Sequence, residues 1–163
     1  MALNKAFINE LKRESASTEK VFERIPDEKF SWKPHEKSMS FADLANHISQ
    51  LTSWIVPIVQ TESMDFANSE QPKPAQNQVE LLQNQKNYVA KALATLENAS
   101  DETLLNNWKL LHGERVIFDL PRINVLRFIV INHCIHHRGQ LTVYLRMNDI
   151  PVPGLYGPSA DEK

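Results

Sequence analysis

The feature that most constrains this chain is a long apolar run, from about Ile123 to Leu145, that carries three histidines within five residues. These are His133, His136 and His137. We interpret the run as the last helix of the fold. Imidazoles in so apolar a segment need a polar partner or a ligand, since an unpaired buried polar group costs free energy.

On a helix that turns about 100° per residue, His133 and His137 lie one turn apart on the same face. Gln140 and Tyr144 continue this stripe, whereas His136 is rotated about 60° away from it. Two neighbouring imidazoles on one face form half of a metal site. Gln140 and Tyr144 could line a pocket beside the metal, or be ordinary residues of the core and of the bundle end.

A third ligand has to come from another part of the chain, and the best candidate is His47. It lies on a second apolar segment with Leu44 and Leu51. The predicted metal ligands are therefore His47, His133 and His137. The alternative is that they are hydrogen-bonded core residues, because the chain has six histidines and one pair spaced four apart is weak evidence alone.

The segment His133-Cys-Ile-His-His-Arg-Gly-Gln-Leu-Thr-Val-Tyr-Leu-Arg146 resembles the signature HxxxHRGQ of the DinB-like (DNA-damage-inducible) metalloprotein superfamily. Residues 34–47 resemble the helix that supplies that family's first ligand, and Ile150-Pro-Val-Pro-Gly154 is similar to its exit loop. The region 62–108 matches only in helical character. The resemblance covers most of the chain and implies a four-helix, metal-binding bundle.

Apolar residues recur at helical spacing in four segments, at about 4–24, 41–57, 78–99 and 123–145. They predict an all-α fold, a four-helix bundle of the DinB-like type formed by a single domain over residues 1–163. Pro57 predicts a kink or an early end of the second helix. Residues 62–77 predict a long connection between helices two and three. Residues 108–120 predict either a short hairpin or an extended crossover.

Several neighbours of the histidines have two interpretations. Ser40-Phe-Ala-Asp43 is typical of a capping box, so Asp43 caps the second helix, although it could also support His47. We interpret Cys134 as a small buried hydrophobe, and the alternative is that it is a metal ligand. Arg138 points away from the ligand face and should pair with an acidic residue across the bundle. Gly139 predicts a closely packed neighbouring helix, because glycine weakens a helix by about 1 kcal/mol.

Composition excludes several classes of protein. The net charge of −2 over 163 residues provides no basic surface for nucleic acid. Cys134 is the only cysteine, which excludes an internal disulfide and suits a reducing compartment. The first 14 residues are charged where a signal peptide needs an apolar core, and no apolar run reaches about 18 residues. We therefore predict a cytoplasmic protein without membrane or nucleic-acid partners.

Three neutral imidazoles leave an open coordination position, as in catalytic zinc sites. Such a metal lowers the pKa of bound water to about 7, or binds a substrate thiol as thiolate. The resemblance favours the thiol, since relatives include metal-dependent transferases that use low-molecular-weight thiols. We predict a thiol-dependent transferase or a hydrolase acting on a small molecule. A non-catalytic metal- or ligand-binding module is the alternative, because no general base is visible beside the histidines.

Imidazole ligands are compatible with several divalent metals. Zinc and nickel are the first expectations, and iron, copper and manganese are also compatible with the ligand set. The resemblance and the apolar helices further suggest a homodimer packed through helix faces.

Overall fold

The computed structural model describes residues 2–162, so Met1 and Lys163, the end residues of the predicted single domain, lie outside the described part. Its helices are α1 (Leu3–Phe22), α2 (Phe41–Ser53), α3 (Ile55–Gln60), α4 (Gln78–Glu97), α5 (Asp101–Leu105), α6 (Arg122–Val125) and α7 (His133–Met147). The strands are β1 (Ser63–Asp65), β2 (Asn107–His112) and β3 (Arg115–Pro121). Within residues 2–162, no helix is long and apolar enough to cross a membrane.

The core lies between the long helices. Helices α1 and α2 each pack against both α4 and α7. Each of these four helices contributes a fully buried side chain to the core: Phe22, Phe41, Leu81 and Leu141. Burying a side chain of this size contributes about 1.5–3 kcal/mol, so these contacts hold α2 against α7. The mostly helical fold is as predicted.

The all-α prediction is wrong in one respect, because the chain also forms a three-stranded sheet of order β1-β2-β3. Strands β2 and β3 form an antiparallel hairpin, which confirms the hairpin alternative for residues 108–120. Its turn uses Gly113 at a φ of +60°, a conformation that favours glycine. Strand β1 pairs in parallel with β2 and is only three residues long, too short for a periodic pattern in the sequence.

Helix α2 begins at the predicted capping box. The Asp43 backbone N–H donates to Ser40 Oγ at 3.1 Å, and the Asp43 carboxylate accepts from the Ser40 backbone N–H at 3.3 Å. The helix ends at Ser53, and Pro57 lies in the first turn of α3. Since proline lacks an N–H and clashes with the carbonyl four residues earlier, the helix breaks before it. The predicted break is confirmed.

The predicted connection, residues 62–77, runs along α2 before α4 begins. The Asn46 side chain donates to the Ala75 carbonyl at 3.1 Å and accepts from the Ala75 N–H at 2.8 Å. Gln50 donates to the Pro72 carbonyl at 3.2 Å. These bonds flank His47 along the helix, so they fix the backbone on which this residue lies.

A π-helical segment, Leu126–Asn132, joins α6 to α7 and ends directly before His133. A π turn holds one residue more than an α turn, so it changes the direction of the side chains that follow. The sequence shows no signal for it. The wider turn is the local feature that sets where α7 presents its first histidine.

Candidate metal centre

Helices α2 and α7 bring His47, His133 and His137 together. His47 lies near the middle of α2, His133 is the first residue of α7, and His137 follows one turn later. The ring centroids are 4.9 Å apart for His47 and His133, 4.9 Å for His47 and His137, and 4.5 Å for His133 and His137. One ring nitrogen of each lies within 4.8 Å of the others. This three-histidine group could hold a metal ion.

The distances between the ring nitrogens allow a test of fit. His47 Nε2 lies 3.4 Å from His133 Nε2, and His137 Nε2 lies 2.7 Å from His133 Nε2. In a tetrahedral site with bonds of about 2.0–2.1 Å, two ligand nitrogens are about 3.3 Å apart. The first distance matches this value. The second, 2.7 Å, is about 0.6 Å shorter, which a small rotation of one ring corrects.

Polar groups lie beside both α7 histidines. His137 Nδ1 lies 2.7 Å from Gln140 Oε1, and the backbone of Ile129 acts to raise the pKa of His133, against the effects of burial and of His137. When each ring donates outward from Nδ1, the lone pair of each Nε2 points inward. Two lone pairs at 2.7 Å repel each other unless a cation lies between them. The arrangement therefore favours a proton or a metal ion at this point.

The surroundings keep two of the imidazoles neutral. Burial, together with the nearby rings of His133 and His137, lowers the pKa of His47 to about 4. Burial, and then His137, also lower the pKa of His133. A metal ligand must be neutral imidazole, so these two residues are ready to bind at neutral pH without losing a proton.

His136 and Cys134 lie near the three histidines but do not belong to the candidate metal site. His136 is exposed, and its ring centroid is 4.9 Å from that of His137. Cys134 is buried, with Sγ 3.6 Å from the Ile48 carbonyl oxygen. Burial raises the pKa of its thiol to about 12, so it stays protonated. Cys134 thus has the surroundings of a small core residue.

The two residues predicted to continue the stripe have different places. Gln140 is exposed and contacts His137, as described above. Tyr144 is buried against Trp32 and Phe41, with ring centroids 5.5 and 5.4 Å away. Its hydroxyl donates to the Met39 carbonyl at 3.2 Å. The contacts of Tyr144 are those of a core residue, whereas Gln140 belongs to the histidine group.

Arg138 connects α7 to α1, which confirms the predicted pairing with an acidic residue. Its Nη2 donates to Glu14 Oε2 at 2.7 Å, and both side chains are almost completely buried. Tyr156 Oη lies 2.6 Å from both Arg138 Nη2 and Glu14 Oε2. No local pattern marks Tyr156 as a partner, because it lies 18 residues further along the chain.

The expectation for Gly139 is wrong within the described chain. A Cβ atom at this position would meet no atom within 4 Å. No helix of residues 2–162 therefore requires the missing side chain.

A large cavity lies away from the histidines. It has a volume of about 610 Å³ beside α3, β2 and β3, and the buried residues in its wall are Val59 and Arg122. The Arg122 guanidinium donates to four backbone carbonyls, those of Ile58, Thr61, Asn106 and Asn107, and to the Glu62 carboxylate. With its donors used in this way, Arg122 joins α6 to the neighbouring strands and offers no free group for a ligand.

The sequence model of the DinB family matches residues 1–163. The chain belongs to the DinB family.

Two relatives come from Bacillus subtilis (strain 168). The uncharacterised protein YrdA is 28% identical over 164 residues, which cover 96% of this chain and 89% of YrdA. The uncharacterised protein YjoA is 31% identical over 134 residues, which cover 79% of this chain and 80% of YjoA.

Two solved structures share the fold. A DinB-like protein from Bacillus cereus ATCC 10987 superimposes with a TM-score of 0.72 at 22% identity, over 93% of this chain and 97% of the other. The DinB-like YjoA of B. subtilis gives 0.70 at 23% identity, over 97% and 98% of the two chains.

Proposed function

We propose that the protein is a divalent-metal-dependent enzyme in which His47, His133 and His137 are the ligands. The observation that carries the proposal is the convergence of three Nε2 atoms, two of them 2.7 Å apart, with the Nδ1 of His137 lying 2.7 Å from Gln140 Oε1 on the outer side. Membership of the DinB family supports it.

The ligand set suggests catalysis more than a purely structural role. The group contains three ligand-type residues among residues 2–162, and structural zinc sites usually have four. Cys134 Sγ and the Asp43 carboxylate both have other contacts, at Ile48 and Ser40. A site with three histidines leaves a coordination position for water or a substrate.

A bound divalent ion would supply Lewis acidity, which favours the deprotonated form of a water or thiol at pH 7. The chain itself contributes three imidazoles, and burial lowers the pKa of His47 and of His133, which favours their neutral forms. The reaction class that we propose is transfer of a low-molecular-weight thiol to a small electrophile, with hydrolysis as the related reaction of water. Zinc and nickel are the metals we expect first.

One observation favours a second candidate, a non-catalytic metal-binding module. Among residues 2–162, no Asp, Glu or Lys side chain hydrogen-bonds to the three rings, so no general base is in place. A metal-bound thiolate needs no separate base for attack, which is why we prefer the thiol reaction.

The test measures metal content and turnover together. Protein purified without a nickel column should hold about one divalent ion per chain and, with a low-molecular-weight thiol, consume epoxides or halogenated compounds. Chelation should stop this reaction, and restoring the metal should return it. His133→Ala should lose both metal and activity, whereas the matched control His136→Ala should keep both.

Two outcomes contradict the proposal in different ways. Equal metal loss in His136→Ala and His133→Ala would overturn the ligand assignment. Normal metal content without thiol-dependent or hydrolytic turnover, across a broad panel of electrophiles and esters, would favour the binding module.

A further inference from the structure

We propose that Gln140 is a positioning residue, which holds the His137 imidazole as the tautomer that can bind a metal. This inference rests on the proposed metal site and adds a residue that acts on it through a ligand. It starts from one contact, the 2.7 Å distance between Gln140 Oε1 and His137 Nδ1.

The contact is local and specific. Gln140 follows His137 by three residues on α7, so the two side chains lie on the same face of the helix. Gln140 is exposed, and among residues 2–162 its side chain makes no other hydrogen bond. Within this part of the chain, the bond to His137 is therefore the contact that accounts for the position of the Gln140 side chain.

The tautomer decides whether the ring can bind. A neutral imidazole carries its proton on either Nδ1 or Nε2, and only the Nδ1–H form leaves a lone pair on Nε2. The amide oxygen of Gln140 accepts a hydrogen bond from Nδ1–H and stabilises this form. His137 Nε2, which lies 2.7 Å from His133 Nε2, is then free to bind a cation.

The two α7 histidines differ in the kind of group that lies beside the ring. The group that raises the pKa of the His133 ring is the backbone of Ile129, which remains whatever side chain is present. The group beside His137 is a side chain, that of Gln140. Groups that orient metal-binding histidines typically change metal affinity 10–100-fold when they are removed.

The opposite arrangement of the amide gives a clear alternative. If the NH₂ group of Gln140 faced Nδ1, the proton of His137 would lie on Nε2 and could donate to His133 Nε2. That network would be complete without a metal and would oppose binding. The tautomer of His137 in the metal-free protein therefore distinguishes the two arrangements.

The experiment compares Gln140→Leu and Gln140→Glu with the wild-type protein. The matched control is Gln83→Leu, because Gln83 is also exposed on a helix and bonds within its own helix, to Asn87 at 2.9 Å. Zinc affinity is measured by competition with a chromophoric chelator. The tautomer of His137 is read from its ring ¹⁵N chemical shifts in metal-free protein.

We expect Gln140→Leu to weaken zinc binding about 10–100-fold. Gln140→Glu should restore or exceed wild-type affinity, because a carboxylate is a stronger acceptor for Nδ1–H. Gln83→Leu should leave affinity unchanged. The ¹⁵N shifts should show the Nδ1–H tautomer in wild type and a mixture in Gln140→Leu, with the unfolding temperature of the metal-free protein unchanged.

Failure of the role of Gln140 and failure of the proposed metal site give different results. Zinc binding by wild type with equal affinity in Gln140→Leu would overturn the role of Gln140 and leave the metal site standing. An Nε2–H tautomer in metal-free wild type would also overturn the role. A wild-type protein that binds no zinc or other divalent ion would overturn the proposed function together with this inference.

Discussion

Burial and two neighbouring imidazoles set the proton affinity of His47. Its pKa falls from an ordinary 6.5 to about 4, and the pKa of His133 is lowered for similar reasons. In the unfolded chain both groups regain ordinary values. Protonation therefore favours the unfolded state, and the metal-free fold contains a built-in sensitivity to acid.

The sign of this effect gives a prediction for pH. Well above pH 6.5 His47 is neutral in both states and contributes nothing to the pH dependence. As the pH falls from 6.5 to about 4, the unfolded chain binds a proton that the folded protein does not, so the metal-free protein should lose stability. Thermal unfolding of metal-free protein at several pH values in this range measures this loss of stability.

The control for this prediction is His47→Gln, which removes the titrating group and keeps a polar side chain of similar length. Its unfolding temperature should fall less steeply between pH 6.5 and 5 than that of wild type. Identical slopes for the two proteins would show that His47 does not titrate as described.

At the scale of elements, a buried ion pair holds α7 against α1. Arg138 and Glu14 are 1% and 3% exposed, and the Tyr156 hydroxyl completes their hydrogen bonds from the C-terminal segment. Because Arg138 directly follows His137, this pair fixes the backbone beside a predicted ligand. Desolvation is large at both charges, so neither tolerates loss of its partner.

Removing one partner of this pair should be strongly destabilising. Arg138→Met removes the buried counter-charge of Glu14 and leaves the exposed Arg13 guanidinium, at 3.4 Å, as its partner, and we expect a loss of about 3–5 kcal/mol in the free energy of unfolding. The double variant Glu14→Leu with Arg138→Met removes both charges and should recover most of this loss. Urea unfolding measures both. A double variant as unstable as Arg138→Met would contradict the explanation by an uncompensated charge.

The same elements show which parts of the fold a sequence can predict. The spacing of His133 and His137 is a property of one helix, so helical periodicity alone predicted their shared face. The place of Gln140 followed from the same stripe, and the cap at Ser40 from a four-residue pattern. His47 lies 86 residues from His133, and its selection depended on an apolar helix and on the family resemblance.

Other features could not be predicted because their causes are not local. Strand β1 is three residues long and forms because the edge of β2 is available for pairing. The π-helical segment Leu126–Asn132 leaves no pattern distinct from an α-helix. Tyr156 bonds to Glu14 across 142 residues, and nothing in the sequence around it predicts that contact.

At the scale of the whole molecule, one face of α7 and of the segment before it has no covering within the described chain. Phe128, Val143 and Met147 are 57%, 56% and 56% exposed. Gly139, Val143 and Met147 are spaced four residues apart, so they lie along one face. An apolar stripe along a helix is normally packed against another element, and the unexplained glycine would allow a second helix to approach closely.

We therefore propose that a second copy of the chain packs on this face through its own α7. Light scattering at micromolar concentration should give the mass of a dimer, and Val143→Arg should reduce it to that of a monomer while the helical content is kept. Val116→Arg, on the exposed side of β3 at 51% exposure, is the matched control and should remain dimeric. A monomeric wild-type protein over the whole concentration range would contradict this assembly.

The separation of His47 from His133 has a mechanical consequence. An ion held by both would join two points 86 residues apart in a chain whose single cysteine allows no internal disulfide. If it stayed bound during unfolding, such a cross-link would restrict the unfolded chain as a disulfide does, and a loop of this length corresponds to roughly 4–5 kcal/mol. Unlike a disulfide, it would be removable by a chelator and indifferent to thiol reductants at low concentration. The supply of metal would then help to determine how long each molecule survives before it unfolds.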